Sequence, residues 1–303
     1  MANPRLIKKR VNSIKNIGKI TKALEMVSAS KVQKSQAAAI NAKPYAKAVY
    51  ELVSSLAGSI KASEIPLLKI PQSIKSDLII FISTNRGLCG SLNTNLYKFT
   101  SLFLLQKSGI KHSFVTIGKK GRSYASVNGE LVADFSDEKD FGSIVSAVTK
   151  IITDGFTAQI YDAVYIIYPE FLNALSQETR VKKLLPISKI ALKEELKRES
   201  FDIQGESGEM KLDQKTEESY TYEPDPVTVL GTLLPFYLEI QVAESLYESQ
   251  ASEHSARMIA MKNATDNSSE LSESLTLVFN KARQSLITTE ISDITTAQAS
   301  LSD

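Results

Sequence analysis

Two stretches of the chain carry apolar positions at helical spacing, and they lie at opposite ends. Near the start, Ile7, Val11, Ile14, Ile17, Ile20, Leu24 and Val27 step by 4, 3, 3, 3, 4 and 3. Lys8, Lys9, Arg10, Lys15, Lys19 and Lys22 fall on the other faces. Near the end, Met261, Ala264, Ser268, Leu271, Leu275, Val278, Ala282, Ser285 and Thr289 step alternately by 3 and 4. A 3.5-residue period puts one narrow stripe on a helix and winds it left-handedly about a partner. Pro4 suits a first helical turn, where its missing N–H is no loss. The first helix is predicted to reach about Leu56, roughly 80 Å long, with a kink at Pro44. Residues 236–303 hold neither Gly nor Pro, enough for one helix of roughly 100 Å. Pro235 is expected to separate that helix from what precedes it.

Neither helix can bury its stripe alone. The simplest closure is that they pack on each other, antiparallel, because they flank the same middle stretch. The predicted seam is Ile14, Ile17 and Ile20 against Met261, Ala264, Leu271, Leu275, Val278 and Ala282. It is thin in Leu and rich in Ala, Ser and Thr, which suits a pair that must also slide past other surfaces. Two separate amphipathic helices lying on a globular core are the alternative.

The middle reads differently. Residues 77–83, 112–117 and 162–168 are short apolar runs fit for buried strands, and 181–187 is a fourth, confined to an edge by Pro186. Helices are predicted over 92–107 and 141–153. Strands alternating with helices argue an α/β unit with a mostly parallel sheet. Of the 22 Gly and Pro, 19 fall within 58–235, so the turns belong to this part. Residues 193–226 carry five basic and 11 acidic side chains and read as an exposed connection. The predicted organisation is a coiled-coil helix over 1–57, a Rossmann-like α/β unit over 58–223 with an acidic linker at about 193–223, and a second coiled-coil helix over 224–303.

Charge sharpens the contrast between the ends. Residues 1–60 carry 11 basic side chains against Glu25 and Glu51, whereas 224–303 carry four basic and 11 acidic. The opposite signs favour pairing, though exposed ion pairs contribute little. One Cys and two His leave no disulfide framework and no Cys- or His-based metal cluster. The longest purely aliphatic or aromatic run, 163–168, is far short of the ~20 residues of a membrane span. The first residues lack a secretory signal.

The candidate chemistry is sparse. The turn Arg86-Gly87-Leu88-Cys89-Gly90-Ser91 sits where a phosphate could bind, but matches neither dinucleotide nor P-loop fingerprint. Cys89 has no His near it in sequence. The carboxylate pairs Glu194-Glu195 and Glu217-Glu218 lie in polar stretches that would not raise a pKa. The basic first helix has no aromatic before Tyr45 to stack on bases. These residues point to an interaction or mechanical protein with no cofactor and no metal. A nucleotide-dependent α/β enzyme with helical arms, and a basic coiled-coil scaffold on nucleic acid, are the other classes in play.

Several motifs together resemble one family. Lys19-Ile-Thr-Lys-Ala-Leu-Glu-Met-Val27, Asn85-Arg-Gly-Leu-Cys-Gly90, Ala251-Ser-Glu-His-Ser-Ala-Arg-Met258, Met261-Lys-Asn-Ala-Thr-Asp-Asn267, Phe279-Asn-Lys-Ala-Arg-Gln284 and Ile287-Thr-Thr-Glu-Ile291 are similar, in order and nearly end to end, to the γ subunit of F-type ATP synthase. The resemblance implies a non-catalytic rotor, one copy per complex, coupling rotation of the c-ring to conformational change and ATP synthesis or hydrolysis in the β subunits. It implies the α, β, ε and possibly δ subunits and the c-ring as partners, with no nucleic acid. It places the chain peripherally on the cytoplasmic side of a bacterial plasma membrane, without a transit peptide. By the same resemblance, Arg283 and Gln284 contact a β-subunit loop. Lys8, Lys9 and Arg10 meet acidic β-subunit levers, and Leu24 stands at a sleeve position that usually holds Met. Phe279 replaces the family's tyrosine and Thr289 its glutamine. Thr295-Thr296-Ala297-Gln298 replaces a Gly-containing end.

Overall fold

The computed structural model describes residues 3–59, 65–138, 140–187 and 222–301; the acidic stretch expected over 193–223 lies almost wholly outside them. In chain order the elements are α1 (Pro4–Ser59), β1 (Ser76–Ile82), α2 (Leu92–Gln106), β2 (Lys111–Ile117), α3 (Arg122–Asn128), β3 (Glu130–Asp134), α4 (Phe141–Thr157), β4 (Ala163–Phe171), β5 (Gln177–Leu185) and α5 (Pro226–Leu301). The chain forms two compact units. One is residues 1–30 with 257–303, and the other is residues 31–256. The division therefore falls inside both long helices, not at the element ends near 57 and 223.

In the larger unit the five strands run in the order β3-β2-β1-β4-β5. β1 pairs parallel with β2 and β4, β2 pairs parallel with β3, and β5 closes one edge antiparallel to β4. The apolar runs of β1, β2 and β4 are buried on both faces, as parallel strands covered by helices must be. Alternation sorts the side chains. Leu78, Ile80, Ile82, Val115, Val164 and Ile166 face a core shared with α4 and with residues of α1 and α5. Ile79, Phe81, Phe114 and Ile167 face a second core with α2 and α3. β3 and α3 have no counterpart in the sequence reading, because β3 is short and only partly buried.

Pro235 lies inside α5 and does not end it. A helical proline costs about 3 kcal/mol or more. Leu230, Leu234, Tyr237 and Leu238, all 0–4% exposed, surround it, and each buried large apolar side chain returns roughly 1.5–3 kcal/mol. Packing thus carries the helix through the break. Asp225 caps its first turn, accepting from the backbone N–H of Val227 and Thr228 and from the Thr228 hydroxyl. α5 also contains a stretch of mean hydropathy 1.3, long and apolar enough to cross a membrane. Leu230 to Leu246 direct its apolar face into the core instead.

The join between α1 and α5 in this unit is partly polar. Tyr50, fully buried, takes a hydrogen bond from Gln241 Nε2 at 2.6 Å and donates one to Glu244 Oε2 at 2.5 Å. Its ring meets Tyr237 edge-on at 5.3 Å, a favoured aromatic geometry.

Candidate functional site

In the smaller unit the N-terminal part of α1 runs antiparallel to the C-terminal part of α5. Ser268 Oγ donates to the Ile14 carbonyl at 2.9 Å, and the Thr21 and Thr265 hydroxyls meet at 2.8 Å. Partner numbers rise on one helix as they fall on the other.

The inward positions on α1 are Ile7, Val11, Ile14, Gly18, Thr21, Glu25 and Ser28, all buried or half-buried. Those on α5 are Met261, Thr265, Ser268, Ser272, Leu275, Phe279 and Ala282. Both sets step by 4 and 3, so the 3.5-residue period holds. The phase departs from the sequence reading. Ile17 and Ile20 are 53% and 60% exposed, and Leu271 and Val278 are 50% and 47% exposed. Their places on the seam are taken by Gly18, Thr21, Ser272 and Phe279. Ala264 lies half-buried beside the stripe. The cause is steric: a Cβ at Gly18 would stand 3.2 Å from Ser268 Oγ. Around this crossing the backbones leave room only for glycine and hydroxyl side chains, while larger seam residues lie nearer the two ends, and the bulky Ile17 and Ile20 turn outward.

The positive residues stand outside this seam. Lys8, Lys9 and Arg10 are exposed, Leu24 is half-buried, and Arg283 and Gln284 are exposed. Lys22 pairs with Glu25 at 2.9 Å. Projecting the Thr21–Thr265 register places Pro4 opposite about residue 282 of α5. Beyond that point α5 continues as a single helix to Leu301, about 28 Å at ~1.5 Å per residue. Leu286, Ile287, Ile291 and Ile294 are 42–65% exposed along it.

The turn after β1 is closed by its own bonds. Asn93 Nδ2 donates to Thr84 Oγ1 at 2.7 Å and to Cys89 Sγ at 3.4 Å, and Thr84 Oγ1 donates to the Arg86 carbonyl. Cys89 is 3% exposed. Gly118, at φ +96°, brings the next turn so near that a Cβ there would meet the Ser83 carbonyl oxygen at 2.1 Å. Among the described residues no group of three or more His, Cys, Asp or Glu is placed to hold a metal. His112 instead pairs with buried Asp77, Nδ1 to Oδ1 at 2.7 Å. Burial holds the Asp77 carboxyl above its ordinary range, against the lowering effect of His112.

A two-helix antiparallel coil with small, hydroxyl-rich contacts, one helix outrunning the other, and a five-stranded α/β unit in the same chain define a stalk-type interaction protein. The comparisons with known proteins then fix the family. The family model described as ATP synthase matches residues 3–301. An ATP synthase gamma chain from Roseiflexus castenholzii is 37% identical over the whole of both chains, and one from Herpetosiphon aurantiacus is 38% identical over 99% of each. The chain belongs to the ATP synthase gamma-chain family. Among solved structures, the central stalk and c-ring of the Tetrahymena thermophila mitochondrial ATP synthase superposes with a TM-score of 0.55 at 25% identity, covering 81% of this chain and 99% of that one. The Euglena gracilis mitochondrial enzyme shares the fold, with a TM-score of 0.62 at 18% identity over 98% and 94%.

Proposed function

We propose that this chain is the central rotor shaft of a proton-translocating ATP synthase and is itself non-catalytic. The observation that carries the reading is the single-helix end of α5 with its exposed Leu286, Ile287, Ile291 and Ile294. Most helical stability in proteins comes from packing an apolar face, which this segment lacks in the single chain, and a sleeve of other subunits would cover its apolar side. Three α and three β subunits form that sleeve in this reading. The ε subunit, possibly δ, and the c-ring bind elsewhere on the chain. One copy inside a threefold ring presents a different face to each β subunit. Turning the shaft exchanges those faces, and the differing contacts shift each β subunit between conformations.

Within this scheme, Arg283 and Gln284 mark the start of the single-helix segment and contact a β-subunit loop. Lys8, Lys9 and Arg10 face acidic β-subunit levers, and Leu24 lies against the sleeve. The exposed Ile17, Ile20, Leu271 and Val278 belong to the same outward surface. The complex sits on the cytoplasmic side of a bacterial plasma membrane.

The test is reconstitution with α and β subunits from the same source. The purified chain alone is expected to hydrolyse no ATP. A bead fixed to its α/β unit in an immobilised complex is expected to turn in one direction during hydrolysis. ATP turnover by the isolated chain, or an active complex in which the bead does not turn, would overturn the proposal.

A further inference from the structure

The side chain of Glu248 lies between α5 and the antiparallel edge of the sheet, inside the larger unit. The Tyr168 hydroxyl of β4 hydrogen-bonds to it. Its Oε2 is buried without a hydrogen-bond partner, and so is the hydroxyl of Ser252 one turn later. Glu170 of β4 acts on it from the sheet and is itself bound to Arg180 of β5 at 2.6 Å. Lys182 of β5 supplies the opposing positive charge. On its own helix Glu244 acts on it from one turn earlier, and from α1 the uncharged Tyr50 hydroxyl is bound to Glu244. Three carboxyl groups thus converge on one join between helix and sheet.

We propose that Glu248 is a proton-operated latch: neutral, it lets the middle of α5 seat tightly on β4 and β5, and ionised, it loosens that seat. An ionised carboxylate here would leave one oxygen buried without a donor and add a third negative charge beside Glu170 and Glu244. The neutral acid removes the buried charge and the repulsion, and leaves Oε2 at the smaller cost of an unpaired neutral group. Burial is the main influence and Lys182 opposes it; together with Glu170 and Glu244 the result is a pKa of about 7. The sign follows from linkage. The folded chain holds the Glu248 proton where the unfolded chain, near the ordinary 4.5, has already lost it. The folded state is therefore favoured less and less as pH rises from about 4.5 to 7, and the loss levels off above that.

The experiment uses the full chain. Carboxyl-carbon NMR of glutamate-labelled protein is expected to show Glu248 titrating with a midpoint near neutral pH. Tyr168→Phe removes a donor that favours the ionised form and should raise that midpoint. Hydrogen exchange of the amides around Gln241–Gln250, corrected for intrinsic rates, should show opening increase about tenfold between pH 6 and pH 8 if opening fully exposes the carboxyl. Glu248→Gln should abolish this dependence. A midpoint below about 5 would overturn the proposal, as would equal pH dependence of exchange in Glu248→Gln. Should Glu248→Gln fail to fold, the wild-type titration and its Tyr168→Phe shift decide alone.

Discussion

Gly18 faces Ser268 across the helix pair, and no side chain larger than a hydrogen fits at the glycine without pressing on the serine oxygen. This approach sets the spacing of the pair over about one turn, because the Ser268 hydroxyl also bonds to the Ile14 carbonyl of the facing helix.

Gly18→Val is expected to wedge the helices apart. Overpacking of this kind typically costs about 1–3 kcal/mol, read as a lower denaturation midpoint of residues 4–30 and 257–301. Gly18→Ala should cost far less than Gly18→Val, because Ser268 Oγ need yield only a few tenths of an ångström and alanine gains up to ~1 kcal/mol of helix propensity. A Gly18→Val chain as stable as the parent would show that the approach is looser than described.

The Thr21 and Thr265 hydroxyls should be coupled. Thr21→Val and Thr265→Val each break the bond between the two hydroxyls, while the remaining hydroxyl keeps the carbonyl of its own helix, Gly18 for Thr21 and Met261 for Thr265, so each should cost up to about 1 kcal/mol. The double variant should lose less than the sum of the two. Additive losses would mean that the two hydroxyls do not depend on each other.

The phase of the seam can be tested by charge. Asp at Leu275 and Ala282, both half-buried in the pair, should weaken pairing within the chain and assembly of the complex. Asp at Ile17, already more than half exposed, should leave the free chain's stability within about 0.5 kcal/mol of the parent. If Ile17→Asp unfolded the pair, the outward placement of Ile17 would be wrong.

Asp162 ties the starts of β4 and β1 together by accepting from the Lys75 and Ser76 backbone N–H groups at 2.8 and 3.0 Å. Those bonds, the one from Lys75 foremost, hold its carboxyl below the usual carboxylate range. Its stabilising effect is therefore present above about pH 4 and disappears as pH falls through the lowered value. Asp162→Ala should reduce the denaturation midpoint at pH 7, with the difference from the parent closing as pH falls through the lowered value. A gap unchanged by acid would assign the effect to packing alone.

Lys281 and Arg283 are exposed at the point where α5 loses its companion. Limited trypsin digestion of the free chain should include a cut there, and that cut should be suppressed in a complex with α and β subunits. Equal cutting in both would mean that nothing encloses this segment.

The heptad period was legible because every third or fourth residue is apolar or small, whichever partner covers it. The phase was not. Hydrophobicity favours Ile17, Ile20 and Val27 over Gly18, Thr21 and Ser28, yet the latter face the companion helix and the former face out. Apolarity says that a residue wants cover, but not whether its own chain provides it. The sheet was readable for a related reason: β1, β2 and β4 are covered on both faces and spell continuous apolar runs. β3, with an exposed Glu130 and a half-covered remainder, leaves no such trace. Pro235 misled because a local backbone rule was outweighed by four buried neighbours. The Glu248 cluster was invisible: Glu244 and Glu248 are one turn apart on α5, but Glu170, 78 residues before Glu248, joins them only through the fold.

The two strands of the coil are made far apart in time. Residues 4–30 leave the ribosome some 230 residues ahead of those beginning at Arg257, tens of seconds at ~5–20 residues per second. During that wait the nascent N-terminal segment has no mate. From Gly18 onward its inward stripe is small or polar and offers other nascent chains little to grip, and its lysines keep it dissolved. The small residues that bring the finished helices close together thus also limit the apolar surface of the first of them while it is unpaired.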